Sequence, residues 1–213
     1  MVLPISHDSH GRRPFPEQPM PGGLGLGLLR GRVHELCGAA RTSLAALVLG
    51  AGTGPVIWIS PGWVAERVYP AGLRDLTDPG RIIFARARRP EDVLWAMEEA
   101  LRSGAAPVVL ADLPAPPALT PVRRLHLACE AGGEVAHHRG RLPPLALLLT
   151  PEAGGAQGVE SRWQMTAAPS GSTLTQSHSA WVMRRLRARM APPAAWSVTR
   201  DAAGRVSAQS LPA

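Results

Sequence analysis

Short apolar runs alternate with amphipathic stretches through the middle of this chain, and this alternation restricts the folds open to it. Five runs have the length and apolar character of buried strands, at residues 33–37, 56–59, 82–85, 108–111 and 145–149. Between them, four stretches show helical spacing of apolar residues, at residues 42–49, 64–69, 91–103 and 122–131. Continuously apolar strands separated by helices predict an α/β fold whose mostly parallel central sheet is covered on both faces.

The character of the sequence changes after Pro151. A glycine-rich loop follows, and later segments alternate apolar and polar residues as half-buried antiparallel strands do, at residues 160–166, 181–190 and 195–199. Residues 167–179 predict a polar hairpin connection or a flexible loop. We therefore expect antiparallel C-terminal strands beside the parallel sheet.

The two ends of the chain lack the periodicity of the middle. The sequence has 22 Gly and 22 Pro among 213 residues, which is about twice the usual share. Many of them lie in the first 28 residues, where no regular spacing of apolar residues could bury a face. We predict a disordered N-terminal arm at residues 1–28, one domain at residues 29–200 and a disordered C-terminal tail at residues 201–213.

The predicted helix at residues 91–103 has the clearest pattern. Its expected buried stripe consists of Val93, Leu94, Met97 and Leu101, with Glu98 and Arg102 paired on the outer side. Trp95 falls on the opposite side of the helix from the stripe. It is a candidate anchor for a binding partner, or it packs beneath a neighbouring loop.

The basic residues exclude several kinds of catalytic chemistry and indicate the type of partner. All 23 basic residues are Arg, so a Schiff base, a Walker lysine and a Ser–Lys dyad are excluded. Residues 34–180 are neutral, with 13 Arg and 13 acidic residues, whereas residues 181–213 hold six Arg and one Asp. Such an Arg excess favours nucleic acid or an acidic protein surface as partner, or it reflects only the coding bias of a GC-rich genome.

Cysteine and histidine spacing gives no sign of a disulfide framework or a metal site. Cys37 and Cys129 each lie in an apolar segment, and His137–His138 has no carboxylate or cysteine at ligand spacing. The N-terminus has no apolar core of a signal peptide, and no run of about 18 apolar residues occurs. We expect no metal, no membrane span and a cytoplasmic location.

A nucleotide-binding loop is the first chemistry to test in an α/β chain. The glycine cluster at residues 50–55 lies between a helix and a following strand, the reverse of the order that a dinucleotide site requires. The turn after residue 37 is better placed and offers Gly38, Arg41, Thr42 and Ser43. Because it lacks the Lys and the second Gly and is about three residues too short for a phosphate-binding loop, we expect no ATP hydrolysis and no bound cofactor.

The order of these segments resembles a known family. GRVHELCG at residues 31–38, followed by LAAL at residues 44–47, resembles the strand, phosphate loop and helix that open the RecA ATPase core. VVLAD at residues 108–112 resembles its Walker B strand, with Asp112 at the position of the Walker B acid. LWAMEEALRSG at residues 94–104 and RRLHLACEAGG at residues 123–133 are similar to the ImuA proteins, which are RecA-like and akin to the division inhibitor SulA.

This resemblance, which spans residues 31–198, implies a RecA-like three-layer fold with a degenerate phosphate loop. It also implies a non-catalytic adaptor role in the DNA-damage (SOS) response, in error-prone translesion synthesis. The implied partners are an ImuB-like Y-family polymerase relative and an error-prone C-family polymerase, with RecA and single-stranded DNA as further candidates. Two alternatives stay open: a SulA-like inhibitor of a tubulin-like GTPase, and a divergent RecA-like ATPase that uses Asp112.

The Arg residues near the C-terminus are candidates for partner or nucleic-acid binding. In a strand over residues 181–190, two-residue periodicity puts Arg185, Arg187 and Arg189 on one face with Trp181 and Met183. The opposite face would carry Arg184 and be mainly core. An Arg ladder of this spacing matches the phosphate repeat of a single strand, or its charges pair with acidic residues of adjacent strands.

Overall fold

A computed structural model describes residues 16–169 and 179–212. Within these residues the helices are α1 (Arg41–Gly50), α2 (Pro90–Arg102) and α3 (Leu119–His138). The strands are β1 (Glu17–Pro19), β2 (Gly27–Leu29), β3 (Val33–Cys37), β4 (Val56–Pro61), β5 (Ile82–Ala87), β6 (Val108–Asp112), β7 (Leu145–Thr150), β8 (Ser161–Ala167), β9 (Ser179–Ala188), β10 (Ala194–Arg200) and β11 (Val206–Ser210). Short 3-10 turns occupy Pro70–Leu73 and Pro79–Arg81.

One nine-stranded sheet organises the molecule, in the order β11-β10-β9-β8-β3-β7-β6-β4-β5. The six strands from β8 to β5 run parallel, and β9, β10 and β11 continue the sheet in antiparallel pairs. A separate antiparallel pair is formed by β1 and β2. The predicted α/β class, with a mostly parallel sheet and antiparallel C-terminal strands, is confirmed.

The core lies on both faces of this sheet, because the parallel strands are apolar in both directions. Leu147 and Leu149 of β7 pack on the face covered by α1, whereas Leu148 packs on the face covered by α2 and α3. Helices on both sides of one sheet are compatible with the predicted three-layer arrangement.

One predicted helix is absent from the structure. Residues 64–69 form no helix, and the nearest helical turn is the 3-10 turn at Pro70–Leu73. Tyr69 has an extended backbone with ψ of 109°, as expected for a residue before proline. A segment as short as residues 64–69 can form too few backbone hydrogen bonds to offset the cost of starting a helix.

Helix α3 extends beyond its predicted end at residue 131 and continues through Gly132 and Gly133 to His138. A side chain at Gly132 would collide with the carbonyl oxygen of Leu101 in α2. Gly132 therefore permits the close approach of α2 and α3.

Both chain ends contain strands that the sequence did not predict. The tail predicted to be disordered at residues 201–213 contains β11, which pairs with β10 through five residues. The arm predicted at residues 1–28 contains β1 and part of β2, and the loop between these strands brings Gly22 against Ala208 of β11. Strand β11 is polar except for Val206 and Ala208, so its position depends on main-chain pairing that no side-chain pattern reports. The rest of the arm, residues 1–15, and most of the predicted loop at 167–179 lie outside the described residues.

The described helices include none with the length and hydropathy that crossing a bilayer requires.

Candidate functional site

The predicted phosphate-loop residues lie at the carboxyl end of β3. The turn from β3 to α1 passes through Gly38, whose φ of +94° favours glycine. A side chain at Gly38 would also collide with the carbonyl oxygen of Met165, which accepts a hydrogen bond of 3.0 Å from the backbone N–H of Ala40. The turn is thus held closely against β8.

Asp112 lies at the same end of the sheet, one strand beyond β7. Register pairs Cys37 of β3 with Thr150 of β7, and Leu149 of β7 with Asp112 of β6. The structure therefore brings Gly38 and Asp112 to one edge, with β7 between their strands. In parallel sheets of this kind, ligands bind in the crevice outside the carboxyl ends of the strands.

Arg41, the first residue of α1, faces Asp112. Its Nε lies 3.6 Å from Asp112 Oδ1, and each side chain is about one quarter exposed. Burial raises the pKa of Asp112 above its usual value, and the nearby Arg41 guanidinium partly opposes this rise. Asp112, the predicted Walker B acid, therefore forms an ion pair with Arg41 of the same chain.

Thr42 and Ser43 occupy the first turn of α1 and are half-buried. The residue that precedes the helix, Ala40, has no side chain that can cap it. The first turn thus has no side-chain cap for its backbone N–H groups.

A buried carboxylate beneath this edge was missed by sequence reasoning. Glu35 of β3 is fully buried, and it accepts hydrogen bonds from Thr150 Oγ1 at 2.7 Å and from the backbone N–H of Gly155 at 2.9 Å and of Ala156 at 3.1 Å. It also forms an ion pair with Arg162 of β8. Glu35 therefore fixes the loop that follows β7. The available signal was an acidic residue in a strand whose remaining residues, apart from His34, are apolar.

A second buried polar chain lies at the opposite end of β3. His34 contacts the carbonyl oxygen of Leu29 through Nε2 at 2.9 Å and Ser161 Oγ through Nδ1 at 2.6 Å. Because a carbonyl only accepts, Nε2 carries the proton, and Ser161 donates to Nδ1 while accepting from Trp163 Nε1 at 2.8 Å. Burial lowers the pKa of His34 to about 4.

The described residues contain no cluster of three His, Cys, Asp or Glu side chains that could hold a metal ion. Cys37 and Cys129 are buried free thiols, and burial raises the pKa of each to about 12. Such thiols are poor nucleophiles and poor metal ligands. His137 and His138 are exposed at the end of α3.

The structure separates the predicted Arg ladder of β9. Trp181 and Met183 are buried, so their face is a core face, contrary to the prediction that placed the core on the opposite side. Arg185 continues this face, where its Cζ lies 5.6 Å from the ring centroid of Trp163 and 5.4 Å from that of Trp196.

A β-bulge explains the changed pattern. In the pairing with β8, Arg185 lies opposite Trp163 and Arg187 lies opposite Arg162. Trp163 and Arg162 are adjacent in β8, whereas Arg185 and Arg187 are two positions apart in β9, so β9 contains one extra residue here. Paired residues share a face, so the extra residue turns Arg187 to the same side as Arg184. Both are exposed, and no acidic side chain of the described residues lies within 4.0 Å of either one. Arg189 instead pairs with Glu160 at 3.6 Å.

Trp95 is exposed on α2, as the helical pattern predicted, with 59% of its surface accessible. The expected stripe is altered in two respects, because Leu94 is only half-buried and Glu98 is buried. The predicted Glu98–Arg102 pair is present at 2.6 Å, and Arg124 of α3 adds a second ion pair to Glu98 at 2.7 Å. Glu98 thus joins α2 to α3, whereas sequence reasoning had directed it outward.

Comparison with known proteins supports the resemblance found in the sequence. No family model matches the chain. Two curated relatives, both Protein ImuA from strains of Caulobacter vibrioides, are 33% identical to it over 154 residues, which cover 67% of this chain and 61% of the relative. The chain thus spans less than two thirds of the length of the curated relatives that it matches. On this similarity the chain belongs to the ImuA-like family.

Proposed function

We propose that this chain is a non-catalytic accessory protein of error-prone translesion synthesis in the DNA-damage response. It acts as an adaptor for an ImuB-like Y-family polymerase relative and an error-prone C-family polymerase. The similarity to Protein ImuA supports the pathway, and a RecA-like scaffold with a degenerate phosphate loop accounts for the arrangement of the carboxyl edge.

The pairing of Asp112 with Arg41 carries the non-catalytic part of the proposal. A Walker B acid must be free to act on magnesium and water beside a triphosphate that a lysine helps to hold. Here the carboxylate faces Arg41 at 3.6 Å, and the sequence contains no lysine. The turn after β3 is closed against Met165, which leaves little room for a longer phosphate-binding loop.

Two exposed surfaces support an adaptor role. Arg184 and Arg187 present positive charge on one side of β9, with no acidic partner among residues 16–169 and 179–212, and Trp95 presents an aromatic ring on α2. Arg and Trp are the residue types that most often carry binding energy at protein interfaces. Arg184 lies on β9, two strands from β3 in the sheet, and Trp95 lies on the outer side of α2.

ATP turnover and damage-induced mutagenesis together test the proposal. The purified chain should hydrolyse no ATP above a protein-free control. In cells that lack the protein, Asp112→Asn should restore damage-induced mutation frequency as well as the wild type does, with Asp75→Asn as an exposed control. ATP turnover that Asp112→Asn abolishes would identify a divergent ATPase instead.

The accessory role has its own test. Expression of the wild-type chain should restore mutation frequency after damage, and the chain should co-purify with an ImuB-like protein from damaged cells. If the wild type restores no mutagenesis but inhibits polymerisation of a tubulin-like GTPase, the division-inhibitor function replaces the one proposed here.

A further inference from the structure

A groove of about 620 Å³ runs between α2 and α3 on the outer surface of the molecule. Its apolar lining comes from Leu94 and Trp95 of α2 and from Pro121 and Leu125 of α3. Leu125 is buried and forms the floor, whereas Trp95 is 59% exposed at the side. The groove therefore offers an apolar floor and a large aromatic ring that nothing in the described residues covers.

The charged residues that line this groove are mainly acidic. Glu91, Asp92 and Glu98 line it, together with one cation, Arg124. Glu98 is satisfied by Arg102 and Arg124. Glu91 and Asp92 have no cation of the described residues within 4.0 Å, although as first-turn acids they stabilise the start of α2. Two carboxylates at the end of the groove thus remain open to a partner.

This acidic surface contrasts with the rest of the protein. The chain carries a net charge of +7, and exposed Arg184 and Arg187 lie at the opposite part of the sheet, on β9. Nucleic acid would be repelled by Glu91 and Asp92, so charge favours a basic ligand in the groove. The apolar floor favours an amphipathic segment of a protein, which inserts side chains at helical spacing into such grooves.

We propose that the α2–α3 groove is the docking site for a basic amphipathic segment of a protein partner, in which apolar side chains pack on Trp95 and Leu125 and Arg or Lys side chains pair with Glu91 and Asp92. The identity of that partner rests on the proposed function, which makes the ImuB-like protein the first one to test. The docking chemistry itself rests only on the groove.

Two probes separate these parts. The first is the purified ImuB-like protein, and the second is a synthetic amphipathic helical peptide of Leu and Arg, compared with a version in which Glu replaces Arg.

The full chain is tested as wild type, Trp95→Ser and the double variant Glu91→Gln with Asp92→Asn. Matched controls are Trp63→Ser, since Trp63 is 45% exposed elsewhere, and Glu66→Gln with Asp75→Asn, which are exposed acids outside the groove. Thermal unfolding of every variant verifies that it folds.

Trp95→Ser should weaken binding of both probes by about tenfold or more, as loss of an interface anchor does. The Glu91–Asp92 variant should slow association and reduce its dependence on salt. Neither control should change binding. In the wild type, addition of the Arg peptide should shift tryptophan fluorescence to shorter wavelength, and Trp95→Phe should remove this shift.

Several results would overturn the inference. If the ImuB-like protein binds the wild type and the groove variants equally, the groove is not its docking site, although the proposed function stands. Equal binding of the Glu peptide and the Arg peptide would refute the charge argument. Self-association that the groove variants abolish would make a second copy the occupant.

If the wild type restores no mutagenesis in cells, the proposed function fails. The peptide titration then still decides whether the groove binds a basic segment.

Discussion

Arg41 and Asp112 face each other at 3.6 Å across the carboxyl edge of the sheet, although 71 positions separate them in the sequence. The pair joins the start of α1 to the end of β6. It lies at the end of the sheet where parallel α/β proteins bind their ligands.

Removal of Arg41 should raise the pKa of Asp112 further. Burial already raises this pKa, and Arg41→Ala would remove the cation that opposes the rise. A carboxylate ¹³C NMR titration of the wild type and variant measures the change, with Arg74→Ala as an exposed control. An unchanged Asp112 titration would mean that the two charges do not interact in solution.

Arg184 and Arg187 should act together in binding, without supporting the fold. Both are exposed, so Arg184→Glu with Arg187→Glu should leave the melting temperature nearly unchanged. If single-stranded DNA is the ligand, each lost phosphate contact should reduce the slope of log affinity against log salt by about 0.7. A salt-independent interaction would point to a protein surface instead.

Arg185 provides the contrast within the same strand. Its guanidinium stacks near Trp163 and Trp196, and its Nε donates to the carbonyl oxygen of Pro192 at 2.8 Å. Arg185→Glu should therefore lower the free energy of unfolding, by about 1–2 kcal/mol. A fully stable variant would show that the stacking contributes nothing measurable.

His34 should make the protein less stable as the pH falls from about 6.5 to about 4. Its pKa is lowered by burial to about 4 in the folded state, whereas the unfolded state binds the proton near 6.5. The unfolded state therefore binds more protons in this window, and its relative free energy falls by up to about 3 kcal/mol as the pH decreases. Below pH 4 the contribution of His34 is constant.

Urea unfolding at several pH values measures this effect. His34→Gln should be less stable at pH 7 and should lose less stability between pH 6.5 and 4 than the wild type. His137→Gln, on the exposed end of α3, should follow the wild-type profile. His126 also has a pKa lowered by burial, so some pH dependence should persist in the His34 variant.

Glu35 should be far more important for stability than an exposed acid in a similar pair. Glu35→Gln would leave Arg162 without its counter-charge and direct an amide N–H toward backbone donors, at a cost of about 3–5 kcal/mol. Glu130→Gln is the matched control, since Glu130 pairs with Arg32 at 2.6 Å but is half exposed. It should cost less than about 1 kcal/mol. Similar costs for both variants, measured by urea unfolding, would contradict the role assigned to Glu35.

Apolar patterns predicted the central strands well, because burial on both faces of a parallel sheet requires an almost continuous apolar run. These patterns failed where main-chain hydrogen bonds between strands or contacts between helices determine the structure. Strand β11 is mostly polar, and α3 continues past its predicted end at residue 131 through Gly132, which contacts α2. The same limit applies to Glu98, whose burial depends on Arg124 from another helix.

Residue types and their local spacing were enough to predict the α/β class, the parallel sheet, the absence of lysine chemistry and the family resemblance. The packing of distant segments was needed to show that Asp112 faces Arg41, that Glu35 organises the loop after β7 and that Arg187 shares a face with Arg184 and not with Arg185. These relationships join residues on different strands, and one bulged residue reverses the side on which a side chain lies. The local spacing of residues in the sequence therefore predicts neither the contacts between strands nor the position of the bulge.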